Sequence, residues 1–237
     1  MATAPPAVPL SPLEPAQSNR YLLSKRHKKA AQDLARKGYH HGNLKEALVE
    51  AAIALIEEKG PTGFTMAEAA KRANVSAAAP YRHFSGREEI IAEIARQGFG
   101  IFADLMEFAY QKGQPSALSA FESTGRAYLA FARKYPGYYI AMFESGVQIN
   151  ANADLATVAN RAMNVLTQAA DDLCRHLPAD KRPPASMISH HVWALCHGMV
   201  ELFARGEPGT RSPFSAEDLL ESSMGIYLRG LGVLDKD

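Results

Sequence analysis

Apolar residues recur along this chain with a helical period, and no segment shows convincing strand alternation. Leu44, Leu48, Ala51, Ala52 and Leu55 form one stripe, which stops at Lys59-Gly60. It opens on Asn43 with Glu46 three residues on, the signature of a capped helix start. Thr65-Met66-Ala67-Glu68 repeats that signature, and Met66, Ala69, Ala70 and Ala73 then share one face. Ser85-Gly86-Arg87-Glu88 gives it again, ahead of a longer helix through Ile90, Ile91, Ile94, Ile101, Leu105 and Phe108 to Gly113. Beyond Pro115 the period predicts helices near 116–134, 137–144, 152–176, 184–205 and 215–231. Their breaks fall at Tyr135-Pro136-Gly137, Gly146, Leu177-Pro178, Arg182-Pro183-Pro184 and Gly206 to Pro213. With no internal repeat, the expected fold is all-α.

The stretch from Thr65 to Glu89 carries the most information. It predicts two short helices separated by Asn74-Val75-Ser76, with a third helix close behind. Such a pair projects its second helix from a rigid platform into the DNA major groove. Ala69, Ala70, Ala73 and Ala79 are small enough for close helix packing, and Val75 and Phe84 are placed to fill the core between.

Charge sharpens this picture through its distribution. The net charge of +1 would not suggest a nucleic-acid partner. Yet between Arg20 and Lys45 stand eight basic residues and the single acid Asp33, whereas residues 101–237 hold 12 basic and 15 acidic residues. One end is basic and the other mildly acidic, as expected if one end meets phosphate. Residues 1–19 are rich in Pro and Ala and are expected to be disordered, with a basic arm following over 20–38. Cys174 and Cys196 fit no metal or redox spacing, and no run is long or apolar enough for a bilayer span or a signal peptide. A reduced, cytoplasmic protein is expected.

Several motifs stand in one order: Tyr39-His40-His41-Gly42-Asn43-Leu44, Gly63-Phe64-Thr65, Val75-Ser76, Tyr81-Arg82-His83-Phe84, and Arg87-Glu88-Glu89-Ile90. Together they resemble the N-terminal domain of the TetR/AcrR family of transcriptional regulators. The family commonly has Lys where this chain has Arg87, and either side chain can hold a phosphate. The resemblance implies a helix-turn-helix DNA-binding domain over 39–92, after a disordered N-terminus and basic arm over 1–38. A ligand-binding and dimerisation domain is implied over 93–237.

Candidate DNA contacts follow residue by residue. Thr65 sits at a helix start, where free N–H groups suit phosphate. Tyr81, His83 and Arg87 can donate to phosphate oxygens, and His41 can join them. Each also has a plainer role: Thr65 as a cap, Tyr81 as core, His83 as surface. Ser76, Ala77, Ala78 and Arg82 are expected to face the groove. The run Ser76 to Pro80 has no Arg, Asn or Gln for bidentate base contacts, so close approach and DNA shape are expected to supply much of the specificity. The basic arm either reaches the minor groove or stays solvated.

In the C-terminal half, Ile188, Val192, Leu195, Met199 and Leu202 form one stripe, and His190, Trp193, His197 and Ala204 another. A helix apolar on two faces is buried on two sides, here by core and a partner subunit. Leu219, Leu220, Ile226 and Tyr227 with Ser223 and Gly230 suit the same four-helix dimer interface. Trp193 to Gly198 resembles the Trp-His-Gly signature of one C-terminal domain type in the family, as does Gly137 to Phe143. Trp193 and His197 meet on one helix face. Either they line a ligand cavity, or they are a core Trp on a hydrogen-bonded His. Phe102, Met106, Tyr128, Met142, Phe143 and Met163 are further pocket candidates, although such residues also make ordinary core.

The expected function is a homodimeric, sequence-specific regulator of double-stranded DNA. It acts as a repressor, released from a palindromic operator by a small-molecule effector. The alternative is a DNA-binding protein that needs no ligand or answers to a protein partner. His190, His191, Cys196 and His197 lack the spacing of a metal site, so neither catalysis, a cofactor nor a metal is expected.

Overall fold

The computed structural model describes residues 44–204 and 212–234, and helices form its framework. Helix α1 (Leu44–Lys59) buries Leu48, Val49, Ala51, Ala52, Leu55 and Ile56. It ends where Gly60 turns left-handed at φ 78° and donates its N–H to the Ile56 carbonyl at 2.8 Å. Helix α2 (Met66–Arg72) opens on the expected capping box: Thr65 Oγ1 accepts from Glu68 N–H, and the Glu68 carboxylate accepts from Thr65 N–H. It closes on Asn74 at φ 57°. There Val75 N–H reaches back to the Ala70 carbonyl and Asn74 N–H to that of Lys71. This is a Schellman close with Asn in the left-handed position, and it supplies the sharp turn expected at Asn74-Val75-Ser76.

The next segment differs from expectation. The second helix of the motif is a single 3-10 turn at Pro80–Arg82, preceded by a turn in which Ala79 N–H donates to the Ser76 carbonyl. Pro80 explains this, since it has no N–H to bond the Ser76 carbonyl in α fashion. Buried Pro80 and Phe84 instead pin the turn to the core.

Helix α3 (Arg87–Gly113) runs to the expected end, but its start is held differently. Ser85 N–H and Oγ both donate to Glu89, not Glu88. Helices α4 (Ala117–Lys134), α5 (Pro136–Phe143), α6 (Ala153–Cys174), α7 (Ala185–Met199) and α8 (Ala216–Gly230) lie close to their predicted spans. A π-turn, Val200–Ala204, continues α7. Helix α3 packs against α4, α5 and α6; α7 lies on α4 and α6, and α8 on α4 and α7. The α7 core stripe is Ile188, Val192, Cys196 and Val200, with Ser189 beside it, so the expected stripe drifts outward after Val192. Leu195 and Met199 are half-buried, and Leu202 is 54% exposed.

Among the described residues no strand is present, and no helix is long and apolar enough to cross a membrane. The basic arm, Tyr39 to Asn43 with His40 and His41, and the break from Gly206 to Arg211 lie outside the described residues.

The left-handed backbone at Asn74 makes a direct test. Asn74→Val should destabilise the protein by about 1–2 kcal/mol more than Asn74→Gly does, as measured by thermal or denaturant unfolding.

Candidate nucleic-acid interface

Ser76, Ala77, Ala78, Tyr81, Arg82 and His83 are all exposed, and Tyr81 is 60% exposed. They form an almost continuous outward surface, carried by a turn whose buried Pro80 and Phe84 prevent it from swinging freely. Small side chains at Ala77 and Ala78 let this backbone come close to another surface.

Around it, charges of the head are paired. Lys59 Nζ lies 2.6 Å from Glu68 Oε1, and Arg72 pairs with Glu58. Lys45 sits 3.5 Å from Glu93 and over the Phe84 ring. Arg87 donates to the Thr62 carbonyl at 2.8 Å and lies beside Glu88. The side chains of Lys71 and Arg82 make no hydrogen bond or ion pair to another described residue.

This arrangement separates residues that frame the surface from those that present it. Thr65 Oγ1 both donates to the Glu68 carboxylate at 3.0 Å and accepts from its N–H. The Glu68 carboxylate therefore occupies the start of α2, where a phosphate was expected. The Lys59 ammonium and the Thr65 N–H and hydroxyl hold its pKa down at about 2. Arg87 braces the loop ahead of α2. Among the expected contacts, Tyr81, Arg82 and His83 stand free on the surface with Ser76, Ala77 and Ala78, and His41 lies outside the described residues.

A second cluster lies in the body. His197 Nδ1 is 2.8 Å from Tyr139 Oη and 3.2 Å from Tyr128 Oη. Its ring stacks on Tyr139 and meets Phe143 edge-on. Trp193 packs edge-on against Phe102, Tyr128 and Phe143. Burial raises the Tyr128 phenol pKa far above its ordinary range, so Tyr128 stays protonated. Burial likewise lifts Cys196 to about 12, leaving an inert thiol. Met142 and Met106 are buried, with Met142 Sδ and Cγ seated against Gly98, whereas Met163 is half-buried on α6 outside this core.

Helix α5 joins the cluster to the head. Tyr139 and Phe143 belong to the cluster, while Gly137 N–H donates 2.9 Å to Glu57 Oε1 on α1. A Cβ at Gly137 would lie 2.7 Å from Ile53 Cγ2 and 2.8 Å from that oxygen, so a larger residue would displace the Ile53 and Glu57 side chains.

Comparison with known proteins decides the family. Residues 48–94 match the model of bacterial regulatory proteins of the tetR family, and residues 121–226 match that of the tetracyclin repressor-like C-terminal domain. The chain belongs to the TetR/AcrR family. The second match includes Trp193 to Gly198. This TetR/AcrR chain is 27% identical over 205 residues to the uncharacterized HTH-type transcriptional regulator YobS of Bacillus subtilis (strain 168), covering 83% of this chain and 96% of that protein. A protein of unknown function from Rhodococcus sp. RHA1 shares the fold at a TM-score of 0.69 and 24% identity, over 82% of this chain and 98% of that one. AibR, solved in complex with isovaleryl coenzyme A and operator DNA, shares it at 0.59 and 16%, over 77% and 97%. The chain is thus a DNA-binding transcriptional regulator of the TetR/AcrR family.

The residues of these two sites that the sequence did not single out are Glu57 and Tyr139. Tyr139 had a signal, its four-residue spacing from Phe143. Glu57 had none, because its partner is 80 residues away. Among the described residues no group of three or more His, Cys, Asp or Glu side chains is placed to hold a metal ion.

The head's ion pairs predict acid sensitivity. Arg96, then Gln97 and Lys45, hold the Glu93 pKa at about 2, below its ordinary 4.5. A depressed carboxylate contributes stability above its ordinary pKa and loses it as pH falls through the folded value. Melting temperature should therefore fall between pH 4.5 and pH 2, and Glu93→Gln should flatten that fall.

Proposed function

We propose that this regulator is a homodimeric, sequence-specific repressor that works by binding rather than catalysis, in the cytoplasm. It releases a palindromic operator when a small molecule binds its body. The observation that carries the DNA reading is the exposed surface from Ser76 to His83 on a braced turn. Ser76, Ala77, Ala78 and Arg82 face the groove, and Tyr81 and His83 hold phosphates. Thr65 and Arg87 keep the platform rigid. Residues 39–92 and 93–237 then divide the labour, although α3 passes through both, and the basic arm of 20–38 adds charge toward DNA.

Dimerisation is supported by the outer faces of α7 and α8. Ile226 is 70% exposed, Leu202 is 54% exposed, and a Cβ added at Gly198 or Gly230 would meet nothing within 4 Å. Small residues beside exposed apolar ones suit the close approach of a second copy, and a two-fold reader suits paired half-sites.

The aromatic cluster around His197 and Trp193 supports effector binding, with Phe102, Tyr128, Met142 and Phe143 beside it. The complex of AibR with a ligand and operator DNA is consistent with such control. An effector must bind the two states unequally to shift them, and α5 offers the route from Tyr139 and Phe143 to Glu57 of α1. The alternative, regulation without a ligand or by a protein partner, draws on one fact: His197 Nδ1 already faces two tyrosine hydroxyls. Titrating bound operator with a metabolite library separates the two.

Tyr81→Ala should weaken operator binding about tenfold or more, the worth of one hydrogen bond to a charged group. Because Tyr81 is neutral, the salt slope should stay unchanged. Unaltered affinity at physiological salt would remove Tyr81 from the interface. Gly137→Ala should blunt any effector-induced release, measured as the ratio of operator affinities with and without effector.

A further inference from the structure

We propose that Arg82 is the residue that reads base identity, and that it does so by recognising a guanine in each half-site. The inference rests on the sequence-specific DNA reading above and deepens it. Three observations point the same way. First, the outward surface from Ser76 to His83 is short of polar reach: Ala77 and Ala78 have no donors, and Ser76 has one hydroxyl that serves several bases. Second, the other guanidinium groups of the head are committed. Arg72 is paired with Glu58, and Arg87 is bonded to the Thr62 carbonyl beside Glu88. Lys45 and Lys59 are paired with Glu93 and Glu68. Third, the exposed Arg82 side chain makes no hydrogen bond or ion pair to another described residue, and it is carried on the 3-10 turn itself.

Lys71 is the other lysine or arginine between residues 44 and 92 whose side chain has no partner among the described residues, but it lies on α2, outside the reading surface. Its compact ammonium suits a phosphate. A guanidinium presents a planar fork, which matches the paired acceptors O6 and N7 of guanine in the major groove. The buried Pro80 and Phe84 fix the backbone on both sides of Arg82, so the fork starts from a defined position. Ala77 and Ala78 then contribute shape and contact with thymine methyls around that guanine.

The test uses the full chain, as wild type, Arg82→Ala and Arg82→Gln. Each is given a random duplex pool, and the enriched sites are compared. Equilibrium affinities follow at fixed salt, for the enriched duplex and for duplexes with each guanine replaced. Wild type should enrich a site with a guanine in each half and lose about tenfold to a hundredfold in affinity when that guanine becomes adenine. Arg82→Ala should bind the two duplexes alike, and Arg82→Gln should move the preference toward adenine, which a glutamine amide matches. A melting curve equal to that of wild type establishes that each variant is folded, as expected for an exposed side chain.

If Arg82→Ala instead weakens every duplex equally and lowers the salt slope by about one, Arg82 is a phosphate contact and the inference is overturned. If the site enriched by wild type keeps all its base preferences in Arg82→Ala, the inference alone is overturned. If wild type enriches no site, sequence-specific reading falls and takes the inference with it.

Discussion

The structure depends on one shared hydrophobic face, that of α3. Its first turns bury Ile90, Ile91 and Ile94, and its later turns bury Phe99, Phe102, Ala103 and Met106 beside α4 and α6. An unbroken helix of 27 residues carries both sets on one hydrogen-bonded backbone. No proline interrupts it between Arg87 and Gly113, and Gly98 is packed against Met142 and Tyr138, while Gly100 has open space around it. Helix α5 adds a second attachment, through Gly137 and Glu57, and Lys45 with Glu93 a third.

These attachments give meaning to the charges on the head. Surface ion pairs contribute little stability individually. Here they restrict which cations remain available to a partner. Acidic residues Glu58, Glu68 and Glu93 engage Arg72, Lys59 and Lys45, and the Thr62 carbonyl engages Arg87. The uncommitted donors are then concentrated on and near the turn from Ser76 to His83. Affinity and base discrimination follow from different groups: phosphate contacts position the protein, and base-edge contacts specify.

Helix positions were legible in the sequence because capping residues and apolar periods are local signals. Thr65 with Glu68, and the stripe from Leu48 to Leu55, needed no knowledge of the rest of the chain. The family was legible because Tyr81 to Phe84 and Val75-Ser76 stand in a fixed order. The 3-10 turn was missed although its cause, Pro80, was in view: a missing N–H acts on a carbonyl four residues earlier, and periodicity does not register it. The box at Ser85 was misassigned by one residue, since Glu88 and Glu89 are equally plausible until the helix phase is set. Long-range partners were beyond reach. Nothing near Tyr139 indicates that its hydroxyl meets His197, and nothing near Glu57 indicates the N–H of Gly137. Outward drift of the α7 stripe past Val192 follows from the i, i+4 spacing of Cys196 and Val200, which the residue types alone do not select over Leu195 and Met199.

The claim that DNA meets the surface held out by α3 is open to one direct measurement. Amide hydrogen exchange is followed on the full chain, free and bound to its selected duplex. Protection on binding should concentrate in Ser76 to His83 and the adjoining start of α3, with α8 unchanged. Protection confined to the body, with Ser76 to His83 exchanging as in the free protein, would contradict the account.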